Sequence, residues 1–146
     1  MLTEDTQLAA IVSEAEAFGV ASLPHSALTA YLVHRFLLLV RPAGLSGFFF
    51  SPAALLAADT VAALRTVGAN PAAGVLKRAM ASLPTSVLEA TEAARRSYAL
   101  EHPAATLKAW AELNESLESA TEDLDLLLWA WVRATCQSPS SSPTGA

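Results

Sequence analysis

Six carboxylates near the C-terminal end of the chain are the residues whose types and spacing best fit a chemical role. Three of them, Glu112, Glu115 and Glu118, recur at every third position, so on a helix they spread over about 120° of arc. Carboxylates at this spacing lie about 5–6 Å apart, which is comparable with neighbouring phosphates on a nucleic acid strand. The row therefore predicts a surface that imitates DNA towards a basic DNA-binding protein. The other three carboxylates extend the charge along the chain and are Glu122, Asp123 and Asp125.

An ordinary solvated helix face is the competing explanation for the same carboxylates. Glu122 and Asp123 fall in the predicted first turn of a helix, where acidic side chains complement the helix dipole. Net charge also governs solubility before it governs recognition. The residues alone favour this simpler explanation, and the DNA-imitating surface is the sharper hypothesis.

The distribution of charge along the chain indicates which class of partner the protein can bind. The 146 residues carry a formal net charge of −5. Residues 1–108 contain eight acidic and eight basic side chains, whereas residues 109–132 contain six acidic and no basic ones. Because phosphate binding needs Lys and Arg, this balance argues against nucleic acid as a direct ligand. It favours a basic protein partner.

Patterns typical of catalysis or metal binding do not occur. His25, His34 and His102 have no His, Cys or carboxylate three or four residues further on, and neither a nucleophile elbow nor a phosphate-binding glycine loop is present. We therefore predict no enzymatic activity, no cofactor and no metal. A small-molecule pocket beside the second helix, with His34 or Arg35 as its polar group, is a further alternative.

The cellular setting is predicted from features at the two ends. Cys136 is the only cysteine, which excludes an internal disulfide and fits a reducing cytoplasm. No basic segment precedes an apolar run at the N-terminus, so no signal peptide is predicted. The apolar run 27–40 is too short for a bilayer span, which needs about 20 residues. We expect a cytoplasmic protein without a membrane segment.

Hydrophobic periodicity predicts an all-α fold, a single compact multi-helix domain of about seven helices. The domain is expected to cover residues 1–136, and the Ser- and Pro-rich residues 137–146 are expected to be a disordered tail. The predicted helices cover 4–18, 26–40, 53–67 (with a break near 59–60), 70 to just before 84, 86–100, 102–119 and 122–135.

Local signals set the boundaries of these helices. Thr3 and Thr121 are predicted N-caps of the first and last helices, and Ser86 with Glu89 forms a capping box. Arg41-Pro42 should end the second helix, because proline disfavours helical backbone in the residue before it. A connector then spans residues 42–52. The buried face of the first helix should comprise Leu8, Ile11, Val12, Ala15 and Phe18.

Aromatic residues provide an alternative route to a partner. At least two of Phe48, Phe49 and Phe50 should be buried, because exposing all three is costly. Trp129 and Trp131 point about 200° apart on one helix. If one of them lies in the core, the other is partly exposed or is covered by another element or subunit. A structural or interaction protein that docks through this apolar set is the second functional hypothesis.

Residues 28–135 resemble a DNA-mimic-like helical family, a group that consists mostly of domains of unknown function. The first part of its pattern is a helix, a Gly-Phe turn, a helix ending in Ala-Leu-x-x-Ile-Gly-Ala and a short Ala/Leu-rich helix. The matching segments are 47–50, 63–69 and 73–81, and the last two helices of the family are matched by 113–117 and 122–133.

The resemblance implies an all-α fold and a DNA mimic whose partner is a DNA-binding transcriptional regulator, and it implies a homodimer. Two departures from the family pattern affect the Gly-Phe turn. Leu45-Ser46-Gly47 stands where Asn-Gly-Gly is typical, and Phe49 and Phe50 replace polar residues. Any function that those polar residues perform in the family is not expected here.

Overall fold

Helices make up the chain throughout residues 4–135, the part that the computed structural model describes. This region contains eight α-helices, of which α5 has only four residues, two 3-10 turns (Val20–Ser22 and Pro52–Leu56) and no strand. The predicted all-α class with about seven helices is therefore confirmed. The predictions for Thr3, Cys136 and the 137–146 tail lie outside the described residues. The helices are α1 (Glu4–Phe18), α2 (His25–Phe49), α3 (Ala57–Thr66), α4 (Asn70–Met80), α5 (Thr85–Leu88), α6 (Glu92–Glu101), α7 (Leu107–Ala120) and α8 (Leu124–Thr135).

The central helix is α2, which contacts α1, α3, α6, α7 and α8. Val33 and Phe36 on it are fully buried, as expected for a helix that is apolar nearly all round. It does not end at Arg41 as predicted, because the exposed Pro42 lies inside it. With 25 residues, α2 is long and apolar enough to cross a membrane by length and composition alone. The prediction that this apolar segment is too short for a bilayer span was therefore wrong. Many of its apolar side chains pack into the protein core, although Leu38 is exposed.

A sharp break interrupts α2 at Gly44, where φ is 66° and ψ is −156°. This backbone conformation is essentially confined to glycine. The N–H of Leu45 donates to the side-chain oxygen of Asn114 on α7, at 2.9 Å, so a residue far along the chain caps the second segment of α2. Gly47 in that segment lies so close to the backbone of Leu39 that a Cβ would approach its carbonyl oxygen to 2.2 Å. The two glycines together let the chain turn back on itself.

An aromatic cluster joins the second segment of α2 to α7. Phe48 and Phe49 are buried, which confirms the expected burial of two of the three phenylalanines. The rings of Phe49 and Trp110 stack with centroids 4.8 Å apart, and Phe48 meets Phe36 edge-on at 5.6 Å. Trp110 Nε1 donates to the carbonyl oxygen of Ala79 on α4. These contacts fix the position of α7.

The buried side chain of Arg95 on α6 closes the turn that follows α2. Its guanidinium donates to the carbonyl oxygens of Phe49 (2.7 Å), Ser51 (2.8 Å) and Leu88 (2.9 Å). Burial lowers the pKa of Arg95 from its ordinary value, against the opposing effect of Glu92, but an arginine remains charged at neutral pH. Since carbonyl groups surround the cation, it neutralises the negative end of the α2 dipole.

Four local predictions were wrong. Ser86 does not form the predicted capping box, because it lies inside the short helix α5, which has no side-chain cap. The long helix α6 begins only after Thr91, whose hydroxyl accepts from the N–H of Ala94. The sixth predicted helix begins at Leu107 rather than 102, and Pro52–Leu56 is a 3-10 turn. Phe18, expected in the core, is 76% exposed.

Candidate acidic interface

Because one face of α7 packs against the core, the opposite face of the helix is exposed to solvent. Trp110 and Leu117 are buried on one side of the helix, while Glu112, Glu115 and Glu118 are exposed. The predicted division of this helix into an apolar arc and a row of carboxylates is therefore what the structure has.

The turn between α7 and α8 continues the row of carboxylates. Glu122 and Asp123 are both exposed and precede α8, which begins at Leu124 rather than at 122. Thr121 is not the N-cap of the last helix as predicted, because its hydroxyl donates back to the carbonyl oxygens of Leu117 and Glu118 at the end of α7. Acidic side chains just before α8 still complement its dipole.

Asp125 is set apart from the other carboxylates by an ion pair. Its two carboxylate oxygens accept from the two terminal nitrogens of Arg41 on α2, at 3.3 and 2.7 Å. Both side chains are nearly half exposed, so the pair is partly screened by water and contributes little stability. The pair neutralises Asp125 and removes it from the free negative charge of this face.

The remaining five carboxylates are called the acidic surface below: Glu112, Glu115, Glu118, Glu122 and Asp123. No basic side chain among the described residues forms an ion pair with any of them. The charges at the two ends of α7 are placed unfavourably for the helix dipole. The basic Lys108 lies in the first turn and the acidic Glu118 lies in the last turn. Each such placement costs about 0.3–1 kcal/mol at low salt. Stability of α7 therefore does not explain the order of its charges.

The aromatic candidates are mostly packed within the fold. The structure places Phe48 and Phe49 in the core rather than on a surface, and Phe50 is half-buried, with the guanidinium of Arg96 over its ring at 4.6 Å. Trp131 is half-buried, and its Nε1 donates to the carbonyl oxygen of Ser26 at the start of α2. Trp129 is also half-buried.

The proposed polar groups of a small-molecule pocket do not line the cleft found beside α2. His34 is half-buried, and burial lowers its pKa, while Asp125 raises it and Arg41 lowers it further. Arg35 lies over the ring of Tyr31 at 5.9 Å. The cleft instead includes Arg41 and Asn114. Within residues 6–135, no three His, Cys, Asp or Glu side chains are grouped to hold a metal ion.

Two residues that organise this region were missed by the sequence analysis. Asn114 is the only amide side chain on α7. It interrupts the pattern of Glu and Leu residues, and this interruption could have marked it as a residue with a specific contact. Arg95 lies in the first turns of α6, next to Arg96. One of these two arginines is buried and the other is exposed, and the sequence does not indicate which.

Comparison with known families gives one match that covers most of the chain. A family model described as DMP19-like protein matches residues 21–135. The chain belongs to the DMP19-like protein family. The DMP19-like family is a non-enzymatic DNA-mimic family, which confirms the resemblance found in the sequence, and mimicry of DNA implies a DNA-binding partner. No match was found among curated proteins or among solved structures.

The DMP19-like match covers the helices that build the acidic surface. It starts in the 3-10 turn before α2 and ends at Thr135, the last residue of α8. Helix α1 lies outside the match, although Leu8 on it contributes to the main core.

Proposed function

We propose that this protein is a non-catalytic DNA mimic whose acidic surface binds the DNA-contacting surface of a basic DNA-binding protein. Support comes chiefly from the five exposed carboxylates, which lie on α7 and the turn after it without ionic partners among the described residues. Their separation along the helix, about 5–6 Å at three-residue spacing, suits a surface that normally contacts phosphates. Membership of the DMP19-like family supports the same conclusion.

The rigidity of α7 strengthens the proposal. Trp110 anchors the helix between the ring of Phe49 and the carbonyl oxygen of Ala79, and Asn114 ties it to the break in α2. A fixed array of charges loses little conformational freedom on binding, so more of its electrostatic attraction appears as affinity.

The first test compares two triple variants with equal changes in charge. One neutralises the acidic surface through Glu112→Gln, Glu115→Gln and Glu118→Gln. The control neutralises exposed acids on other elements through Glu16→Gln, Asp59→Asn and Glu89→Gln. Wild type should retain a DNA-binding protein from host lysate at low salt and release it as salt rises, because exposed charges are screened. The first variant should lose this partner and the control should keep it.

Competition with DNA gives the second test. If the acidic surface occupies the DNA-binding site of the partner, duplex DNA with the sequence that the partner recognises should displace this protein. DNA that binds the partner more tightly should displace it at a lower concentration. A partner that binds DNA and this protein at once would contradict mimicry. Equal loss of the partner from both triple variants would show that only the total charge matters.

Apolar docking is the second candidate function, and the structure changes how it is tested. Phe49 is buried beneath Trp110, so Phe49→Ala would unfold the core rather than remove a docking residue. Leu126 is 63% exposed and Trp129 is half-buried on α8. Binding that persists at high salt and is lost in Leu126→Ser would favour this function.

The cellular location and the oligomeric state belong to the same proposal. We expect the protein in the cytoplasm, where a DNA-binding partner operates, and we expect a homodimer. Fractionation and sedimentation measurements check these two expectations independently of the acidic surface.

A further inference from the structure

A cleft of mixed polar and apolar lining lies between α2 and α7, beside the acidic surface. It opens where α2 breaks, and it is bordered by Gly44 and by Asn114, whose side-chain oxygen accepts from the N–H of Leu45. Its volume is about 300 Å³, at the lower end of the range for small-molecule pockets. This size suits one side chain of a partner.

Glu118 is the charged side chain of the cleft lining that no ion pair among the described residues compensates. This carboxylate borders the cleft, is exposed and has no ionic partner among residues 6–135. Arg41 also borders the cleft, but Asp125 holds its guanidinium through two hydrogen bonds. Since the Arg41–Asp125 pair is neutral, a cation that enters the cleft meets an uncompensated negative charge.

Two helix ends reinforce this negative charge. The cleft residues Leu117 and Glu118 belong to the last turn of α7, and Val40 and Arg41 precede the break in α2. Carbonyl oxygens at helix C-termini carry partial negative charge and need donors. The carbonyl oxygen of Leu117 accepts from both the N–H and the hydroxyl of Thr121, whereas the carbonyl oxygen of Glu118 accepts from the shared hydroxyl alone, which leaves acceptor capacity at Glu118.

We propose that this cleft binds the guanidinium of an arginine side chain on the partner's DNA-contacting surface. The inference rests on the proposed function and deepens it by naming one anchor. A guanidinium is planar, weakly hydrated and carries five donors, so it matches a cleft with apolar walls from Val40 and Leu117 and with a carboxylate at the rim. Arginine is also, with lysine, the side chain that makes the commonest specific contact to DNA bases, a bidentate pair with guanine.

The test uses the full chain, labelled with 15N, and the probe N-acetyl-arginine amide. On titration, the backbone amides of Gly44, Leu45 and Thr121 and the side-chain amide of Asn114 should shift together. The neutral isostere N-acetyl-citrulline amide should leave them unchanged. Shifts of equal size with the citrulline probe would overturn the proposal, because they would not depend on the charge.

Single variants with equal changes in charge locate the effect. Glu118→Gln should weaken binding of the arginine probe about tenfold, as expected for a lost charge-assisted hydrogen bond. Glu112→Gln on the same helix lies outside the cleft lining and should change binding less than about twofold, through screened charge alone. Equal effects of the two variants would overturn the cleft as the anchor. Both glutamates are exposed, so neither variant should fail to fold, and matching melting temperatures would check this.

The two proposals can fail separately. If the arginine probe does not shift the cleft residues while the triple variant of the acidic surface still loses its partner, the cleft inference fails and the mimic function stands. If the probe binds the cleft but no DNA-binding protein is retained, the guanidinium site stands and the mimic function fails.

Discussion

Arg95 Nε donates a 2.7 Å hydrogen bond to the carbonyl oxygen of Phe49, which lies 46 positions earlier in the chain. The same guanidinium also serves the carbonyl oxygens of Ser51 and Leu88. The aromatic segment at the end of α2 is thus held by a buried cation. Phe49 in turn stacks on Trp110, so this contact indirectly positions the acidic surface on α7.

Replacing Arg95 by methionine should strongly destabilise the fold. The buried carbonyl group of Phe49 and the partly buried carbonyl groups of Ser51 and Leu88 would each lose a donor, and a buried group left without a partner costs about 1–3 kcal/mol. We expect a loss of about 3 kcal/mol in the free energy of unfolding, measured by urea denaturation.

The neighbouring arginine provides the matched control. Arg96 is exposed, pairs with Glu92 at 3.7 Å and covers the ring of Phe50. Arg96→Met removes the same charge and should cost about 1 kcal/mol or less. Similar losses for the two variants would contradict the role given to Arg95.

Gly44 and Asn114 should be energetically coupled. Gly44→Ala forces a Cβ into a backbone conformation reserved for glycine and to 2.6 Å from the amide nitrogen of Asn114. Backbone strain alone costs about 1–3 kcal/mol. Asn114→Ala removes the acceptor of the Leu45 N–H and should cost about 1–3 kcal/mol.

A double-mutant cycle measures this coupling. The double variant should lose less stability than the two single losses added together, because removing Asn114 also removes the steric clash. A coupling of about 0.5–3 kcal/mol is typical of residues in contact. Additive losses would show that the clash is relieved in another way.

Arg41→Gln should increase the affinity of the cleft for cations. The change removes the cation that borders the cleft and leaves the Asp125 carboxylate unpaired, so the arginine probe should bind more tightly than to wild type. The half-exposed ion pair contributes little to folding, and the stability loss should be about 1 kcal/mol or less. Arg65→Gln on α3 makes the same change in charge at an exposed position and should leave probe binding unchanged. Unchanged binding in Arg41→Gln would indicate that Asp125 does not reach the cleft.

Stability should fall on mild acidification because of His34. Burial holds the pKa of His34 below its ordinary value of 6.5, with Asp125 opposing and Arg41 adding to the effect. Below pH 6.5 the unfolded chain binds a proton that the folded protein still excludes, so stability decreases as the pH falls from 6.5 through the folded pKa.

The variant His34→Gln isolates this contribution. Between pH 7 and pH 5.5, roughly the range over which histidine titrates, wild type should lose more of its free energy of unfolding than the variant does. His25→Gln, at the exposed start of α2, is the control and should follow wild type. Parallel pH profiles for wild type and His34→Gln would contradict this prediction.

Periodicity was enough to predict the all-α class, the bounds of α1 and the outward row of carboxylates. Helix α1 has the predicted bounds, and the three glutamates of α7 are exposed opposite Trp110, because both features depend on local repeats of hydrophobicity. The acidic row also needs no distant contact to point outwards.

Errors arose where distant contacts override local signals. Pro42 suggested a helix end, yet the break lies at Gly44, where Asn114 supplies the cap. Asp125 looked like one more free carboxylate, but Arg41, 84 positions away, neutralises it. Sequence spacing carries no information on such pairs.

The cap on Leu45 comes from a residue 69 positions downstream. During synthesis on the ribosome, the glycine-rich break therefore emerges long before α7 can complete it. Phe48 can meet Phe36 within α2, but the rings of Phe49 and Phe50 must wait for Trp110, which also lies on α7. The corner between the two segments of α2 therefore reaches its final packing only after α7 has been synthesised, however early the contacts among α2, α3 and α4 form.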